Sequence, residues 1–118
     1  MSDTLRNDVG PELPRGTATV RVHVLYFKGC PNSDATFELV RSTAAAQRGV
    51  VVEPIEVRSE DEARRLRFLG SPTVQVNGVD VDPDARERTD FALVCRLYRA
   101  SGVPDRQLIE AAIREATA

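Results

Sequence analysis

Val20, Val22 and Val24 alternate with Arg21 and His23, run into the unbroken apolar triplet Leu25-Tyr26-Phe27, and stop at Lys28-Gly29-Cys30-Pro31-Asn32-Ser33. Alternation that closes on a continuous apolar run reads as a strand buried more completely toward its end. Beyond the break Ala35, Leu39, Val40, Thr43 and Ala44 recur at helical spacing, up to Gly49. The chain thus opens its ordered part with a strand, a tight turn and a helix, and this points to the α/β class.

The later segments extend that pattern. Val50 to Val57 is β-rich and carries Pro54, which suits an edge strand or a bulge because proline cannot donate to a ladder. Ser59 and Glu62 have the spacing of a capping box, opening a helix with Ala63, Leu66 and Leu69 inward, Arg64, Arg65 and Arg67 outward, and Gly70 as a left-handed cap. Val74 and Val76, then Asn77-Gly78, then Val79 and Val81 form a hairpin signal. Asp82 to Asp90 reads as a surface excursion. In 91–98, Leu93, Cys95 and Leu97 alternate with Val94, Arg96 and Tyr98; a strand is the preferred reading, with a helical face through Phe91, Val94, Cys95 and Tyr98 as the alternative. Pro104 and Asp105 start a last helix bearing Leu108, Ile109, Ala112, Ile113 and Ala116. The order β-α-β-α-β-β-α is satisfied by a mixed four-stranded sheet flanked by helices, with the first two strands parallel and joined by a right-handed crossover.

Length limits this to one core. A chain of 118 residues encloses a single domain, and with aromatics at 5% and no Trp that core is aliphatic. Residues 1–16 mix Asp, Arg, Pro and Gly without apolar period and read as a disordered tail before a domain spanning 17–118. Sixteen Lys+Arg against 18 Asp+Glu leave no uniform basic field, so neither nucleic acid nor an acidic membrane surface is an expected partner. No stretch approaches the roughly 20 apolar residues of a bilayer span, and the start lacks the pattern of a secretory signal. The expected location is cytoplasmic. Two cysteines in a reducing compartment suggest reactive or buried thiols rather than a disulfide scaffold.

Cys30 is the residue with the clearest chemistry. At a strand end and a helix start, unpaired backbone N–H groups and the helix dipole favour thiolate over thiol, and a cysteine so placed is nucleophilic. Pro31 suits an early helical position, and Ser33, three residues on, can hydrogen-bond the thiolate. The competing reading is a small buried hydrophobe. His23, the one histidine, reads as a packed or surface residue in mid-strand, and Lys28 and Arg99 as solvated charges able to support a thiolate. Asp80, Asp82 and Asp84 lack the glycine and terminal glutamate of a calcium loop, and no metal site is expected. Cys95 is expected on a packed strand face two strands from the first, each step about 4.8 Å, with Arg99 nearer the site. A direct Cys30–Cys95 disulfide, needing Cα atoms within about 7 Å, is not expected.

Cys30-Pro31-Asn32-Ser33 after the first strand and Ser71-Pro72-Thr73 before the third resemble the thioredoxin superfamily. With Leu25-Tyr26-Phe27-Lys28-Gly29-Cys30-Pro31-Asn32, Gly70-Ser71-Pro72-Thr73-Val74 and Cys95-Arg96-Leu97-Tyr98 the chain is similar to a family of small bacterial thioredoxin-like proteins, some with selenocysteine at the position of Cys30 and some labelled alkylmercury lyase. The resemblance implies a thioredoxin-like fold in which Cys30 is the attacking cysteine and Ser33 stands at the resolving position, so exchange within the motif is closed. It also implies that Pro72 is the cis-proline and that Ser71 presents its backbone to a bound peptide or thiol; Thr73 is read as shaping the same cleft, and strand direction brings Arg99 toward it. A cis Ser71-Pro72 bond costs only about 0.5 to 1 kcal/mol.

Gly-Ser-Pro and Val-Asp-Val-Asp depart from the Thr-Val-Pro and Gly-Gly by which glutaredoxins with a C-x-x-S motif hold glutathione. No cofactor is expected, and glutathione enters only as a candidate co-substrate. The leading expectation is a monothiol redox protein whose Cys30 thiolate attacks a disulfide, a peroxide or another soft electrophile, with a protein disulfide or a small thiol as its partner. Two alternatives stand beside it: a thiol-based binder of mercury or copper, and a non-catalytic interaction domain pairing through the edge strand Val50 to Val57. The oligomeric state is left open.

Overall fold

The computed structural model describes residues 19–98 and 101–117; the tail read at 1–16 lies outside them. The elements are β1 (Val20–Tyr26), α1 (Ser33–Ala44), β2 (Val50–Glu56), α2 (Glu60–Leu66), β3 (Thr73–Val76), β4 (Val79–Asp80), a 3-10 turn (Pro83–Ala85) and α3 (Arg106–Thr117). They build one mixed sheet in the order β2-β1-β3-β4. β1 and β2 are parallel from Val20↔Val50 to Tyr26↔Glu56; β3 runs antiparallel to β1, with Leu25↔Thr73, and β4 returns antiparallel to β3. This is the α/β mixed sheet expected from the strand and helix order, and the thioredoxin-like fold that the resemblance implies. Among the described residues no helix is long and apolar enough to cross a membrane.

Strand periodicity sorts the core into two layers. Val20, Val22 and Val24 of β1 face α1 and α3, packing with Val40, Val74, Val76, Val81, Ile109, Ala112 and Ile113. Leu25 faces the opposite way and meets Val57, Ala63 and Phe68 beneath α2. Tyr26 and Phe27 are only half-buried, so burial does not deepen toward the strand end as expected; that end opens onto the Cys30 turn. Pro54 lies on β2, at the sheet edge and exposed, where its missing N–H costs no ladder bond.

Three local expectations need correction. Ser59 caps α2 by accepting from the Glu62 N–H at 3.1 Å, but the Glu62 carboxylate reaches past it to the Arg58 N–H at 2.7 Å. The left-handed cap of α2 is Arg67, at φ 58°, not Gly70. The helix therefore ends a turn early, and Phe68, fully buried, enters the core from the loop instead of Leu66, which is half-buried.

The third correction concerns 91–98, which is neither strand nor helix. It touches the sheet through one parallel bridge, Ser71↔Cys95. Its burial is inverted relative to hydrophobicity: Arg96 and Tyr98 are buried, whereas Val94, Cys95 and Leu97 are exposed. The cause is a buried carboxylate, Asp80, that draws the Arg96 guanidinium inward. Because the bridge is parallel and set at Ser71, Cys95 lies level with the Ser71-Pro72 loop rather than farther back.

Candidate functional site

The site is built at the carboxyl ends of the parallel pair. β1 stops after Tyr26, and the chain turns through Lys28 and Gly29 so that the Cys30 N–H donates to the Phe27 carbonyl at 3.2 Å. Gly29 has φ +89°, a conformation that glycine adopts without steric cost at the third position of such a turn. α1 begins at Ser33 with Asn32 as its N-cap, so Cys30 and Pro31 precede the helix rather than opening it. Cys30 retains 9% of its surface and belongs to neither apolar cluster of the core.

Ser33 does not point its donor at the sulfur. Its hydroxyl donates to the Cys30 carbonyl at 3.2 Å, closing the turn that the expected thiolate contact would have needed open. Asn32 is set against the segment that leads into α3: a Cβ added to Gly102 would overlap its side-chain amide. That close approach joins the Cys-Pro-Asn-Ser turn to the chain after Tyr98.

The opposite wall is the Gly70–Thr73 loop, and the Ser71-Pro72 peptide in it is cis. The Ser71 hydroxyl accepts from the Phe27 N–H at 3.3 Å. Phe27 therefore touches both halves of the site, Cys30 through its carbonyl and Ser71 through its N–H. Thr73 is buried, in register with Leu25, and its hydroxyl donates to the Gly70 carbonyl at 2.6 Å. The backbone of Ser71 is not free, contrary to what the resemblance implies: its N–H donates to Val94 O at 2.8 Å and its carbonyl accepts from Arg96 N at 3.0 Å. Arg99 lies outside the described residues.

Behind the loop is a polar network that sequence reasoning missed. Arg96 donates from both terminal nitrogens to Asp80, at 2.8 and 3.0 Å, and from one of them to the Thr73 hydroxyl at 3.3 Å. Asp80 also accepts from the Asp82 N–H at 2.9 Å, so its carboxylate is well satisfied. Tyr98 donates its hydroxyl to the Pro72 carbonyl at 2.8 Å, and its ring lies 4.2 Å from the Arg96 guanidinium. Burial pushes the Tyr98 phenol well above its ordinary range, against the opposing effect of Arg96. Burial alone would lower the Arg96 pKa, but its hydrogen bonds to Asp80 hold it above the usual arginine value. A polar-apolar alternation whose polar members are Arg and Tyr, following an isolated Asp in an apolar hairpin, was the available signal.

Other candidates fall away from this constellation. The His23 Nε2 is 2.9 Å from the Glu53 carboxylate across the β1–β2 pair. Asp82 accepts from Asp84 N–H as the cap of the 3-10 turn, and among the described residues no group of three metal-ligating side chains converges. Lys28, with Phe27, Glu56, Val57, Arg58 and Leu93, lines an open groove where β1 and β2 end. Both cysteines are free thiols, Cys30 buried and Cys95 exposed.

No protein-family model matches the chain, and no curated protein matches it. Among solved structures it is similar to the human ERp44 zinc-bound form, with a TM-score of 0.49 and 18% identity over 87% of this chain and 28% of that one. The chain therefore spans little more than a quarter of that structure's length. Strand order, with the cysteine turn after β1 and the Ser-Pro-Thr loop before β3, gives the chain a thioredoxin-like fold.

Proposed function

We propose that the chain is a monothiol redox protein whose reacting group is Cys30. As a thiolate, Cys30 attacks one sulfur of a disulfide; a new S–S bond forms to Cys30, the old bond breaks, and the second sulfur leaves as a thiolate. An outside thiol, glutathione being the obvious small one, then reduces the mixed disulfide, because Ser33 cannot serve as a resolving group. In this reading Pro72, Ser71 and Thr73 shape the wall opposite the sulfur, and Ser33 holds the turn that carries it. The resemblance to small bacterial thioredoxin-like proteins agrees with this assignment, which calls for a reducing compartment such as the cytoplasm.

The observation that supports the reading is the convergence on Phe27: the Cys30 turn and the Ser71-Pro72 loop are hydrogen-bonded to the same residue, so the thiol and the loop share one edge. A merely packed cysteine would be expected inside an apolar cluster. Cys30 is in neither.

The test is formation of a mixed disulfide on Cys30 when the folded chain is incubated with oxidised glutathione, with the modified residue identified by mass spectrometry. An adduct on Cys30 that added reduced glutathione reverses supports the proposal. No adduct on Cys30 in the folded protein removes it.

A further inference from the structure

An extended polypeptide is recognised next to a reactive group by adding main-chain hydrogen bonds to a free sheet edge. At the Cys30 end of this sheet the candidate edge is Ser71-Pro72. Pro72 has no N–H to offer, and its carbonyl accepts from the Tyr98 hydroxyl at 2.8 Å. Ser71 gives its N–H to Val94 and takes the Arg96 N–H on its carbonyl, while its hydroxyl is bonded to Phe27 N–H. The Gly70 carbonyl is taken by Thr73. Each of these polar groups, from the Gly70 carbonyl to the Pro72 carbonyl, is held by the chain itself.

The segment that fills this edge is fixed on both sides. Arg96 is anchored by its paired bonds to Asp80, with 3% and 7% of the two side chains exposed, and Tyr98 is buried beside it. Lifting the segment away would leave a charge buried without its partner, the most costly way to break such a pair. A peptide added outside Cys95 instead would run about 10 Å from Ser71, two strand spacings away. The thiol itself exposes little surface.

Taking Cys30 to be the redox thiol proposed above, we propose that its substrates are low-molecular-weight disulfides and not extended polypeptides, because Val94–Tyr98 occupies the main-chain edge that a polypeptide would require. The exchange step is the one written above, with the leaving thiolate a small molecule that departs into solvent.

Two probes with the same leaving thiol separate the cases: hydroxyethyl disulfide, and a ten-residue linear peptide whose cysteine carries mercaptoethanol as a mixed disulfide. Rates on the full chain are measured for the adduct on Cys30, located by mass spectrometry, and normalised to the rates of free cysteine with each probe. The small probe is expected to be faster by about thirtyfold, because two main-chain polar groups of a peptide brought to Cys30 would be desolvated against an edge already paired and left without partners. Tyr98→Phe, which deletes one hydroxyl and frees the Pro72 carbonyl, is expected to raise the peptide rate and leave the small-probe rate unchanged. Equal normalised rates for the two probes overturn the substrate assignment and leave the redox reading intact; equal peptide rates in Tyr98→Phe and the unaltered chain overturn the role given to the Tyr98 hydroxyl at the Pro72 carbonyl. If Cys30 reacts with neither probe, it is the redox reading that fails.

Discussion

Arg96 and Asp80 form a two-pronged ion pair at 2.8 and 3.0 Å, and the main-chain N–H of that same arginine is bonded to the carbonyl of Ser71. One residue thus carries a buried charge and a hinge of the site wall. A buried ion pair adds little over a well-packed apolar pair, but removing one partner is costly, because the other stays desolvated and alone. Asp80→Asn is therefore expected to destabilise the fold by about 3 to 5 kcal/mol, read from urea unfolding. Asp80→Leu combined with Arg96→Met is expected to lose less than the single change. A single variant within 1 kcal/mol of the parent, roughly the value of an exposed pair, would show that water reaches the pair.

Why this network escaped a reading of the residues, while the sheet did not, has a physical answer. Val20, Val22 and Val24 show the period of a half-buried strand directly, and β1 falls where that period runs. Cys30 and the Ser71-Pro72-Thr73 loop are local signals and could be placed by their neighbours. Arg96 could not be singled out because its burial depends on Asp80, 16 positions away, and pairing at that range leaves no periodic trace. Phe68 was hidden for a related reason. It follows the helix end, and only the left-handed turn at Arg67 swings it into the core, a conformation for which arginine has no intrinsic preference.

Tyr98 ties stability to alkaline pH. Its phenol is buried and its pKa raised in the folded chain by that burial, so the folded state keeps a proton that the unfolded state releases near its ordinary value of about 10. A raised folded pKa contributes stability that is fully present below the unfolded value and is lost as pH climbs toward the folded one. Urea midpoints of the parent should fall above pH of about 10, and Tyr98→Phe should flatten that fall while costing about 1 kcal/mol at neutral pH for the lost bond to Pro72. Parallel pH curves for the two proteins would contradict the assignment.

Gly70 and Gly29 offer a matched comparison. Both have positive φ, at +119° and +89°, so alanine is strained at either. A Cβ at Gly29 meets nothing, whereas at Gly70 it meets the Val94 carbonyl and the Arg96 Cβ, each at 3.0 Å. Neither neighbour can retreat easily, since Val94 O is bonded to Ser71 and Arg96 to Asp80. Gly29→Ala should cost about 1 to 2 kcal/mol, the backbone term alone. Gly70→Ala should cost clearly more, and equal costs in denaturant titrations would mean that the loop has slack.

Gly102 tests whether the two walls of the site are mechanically joined. A methyl group there overlaps the Asn32 amide, which must turn away, and Asn32 is the residue whose carbonyl starts the backbone ladder of α1 by accepting from Thr36 N–H at 3.1 Å. The clash is with the end of a side chain, so the fold should survive Gly102→Ala with a stability loss near 1 kcal/mol, roughly that of a typical point change. The turn carrying Cys30 should loosen, and iodoacetamide should modify Cys30 faster. Shortening the obstacle with Asn32→Ala should restore much of the loss, giving a coupling of about 0.5 kcal/mol or more between the two positions in a double-mutant cycle. Strictly additive changes, in both stability and alkylation rate, would mean that the segment after Tyr98 and the Cys30 turn move independently, and the site would then have one fixed wall rather than two.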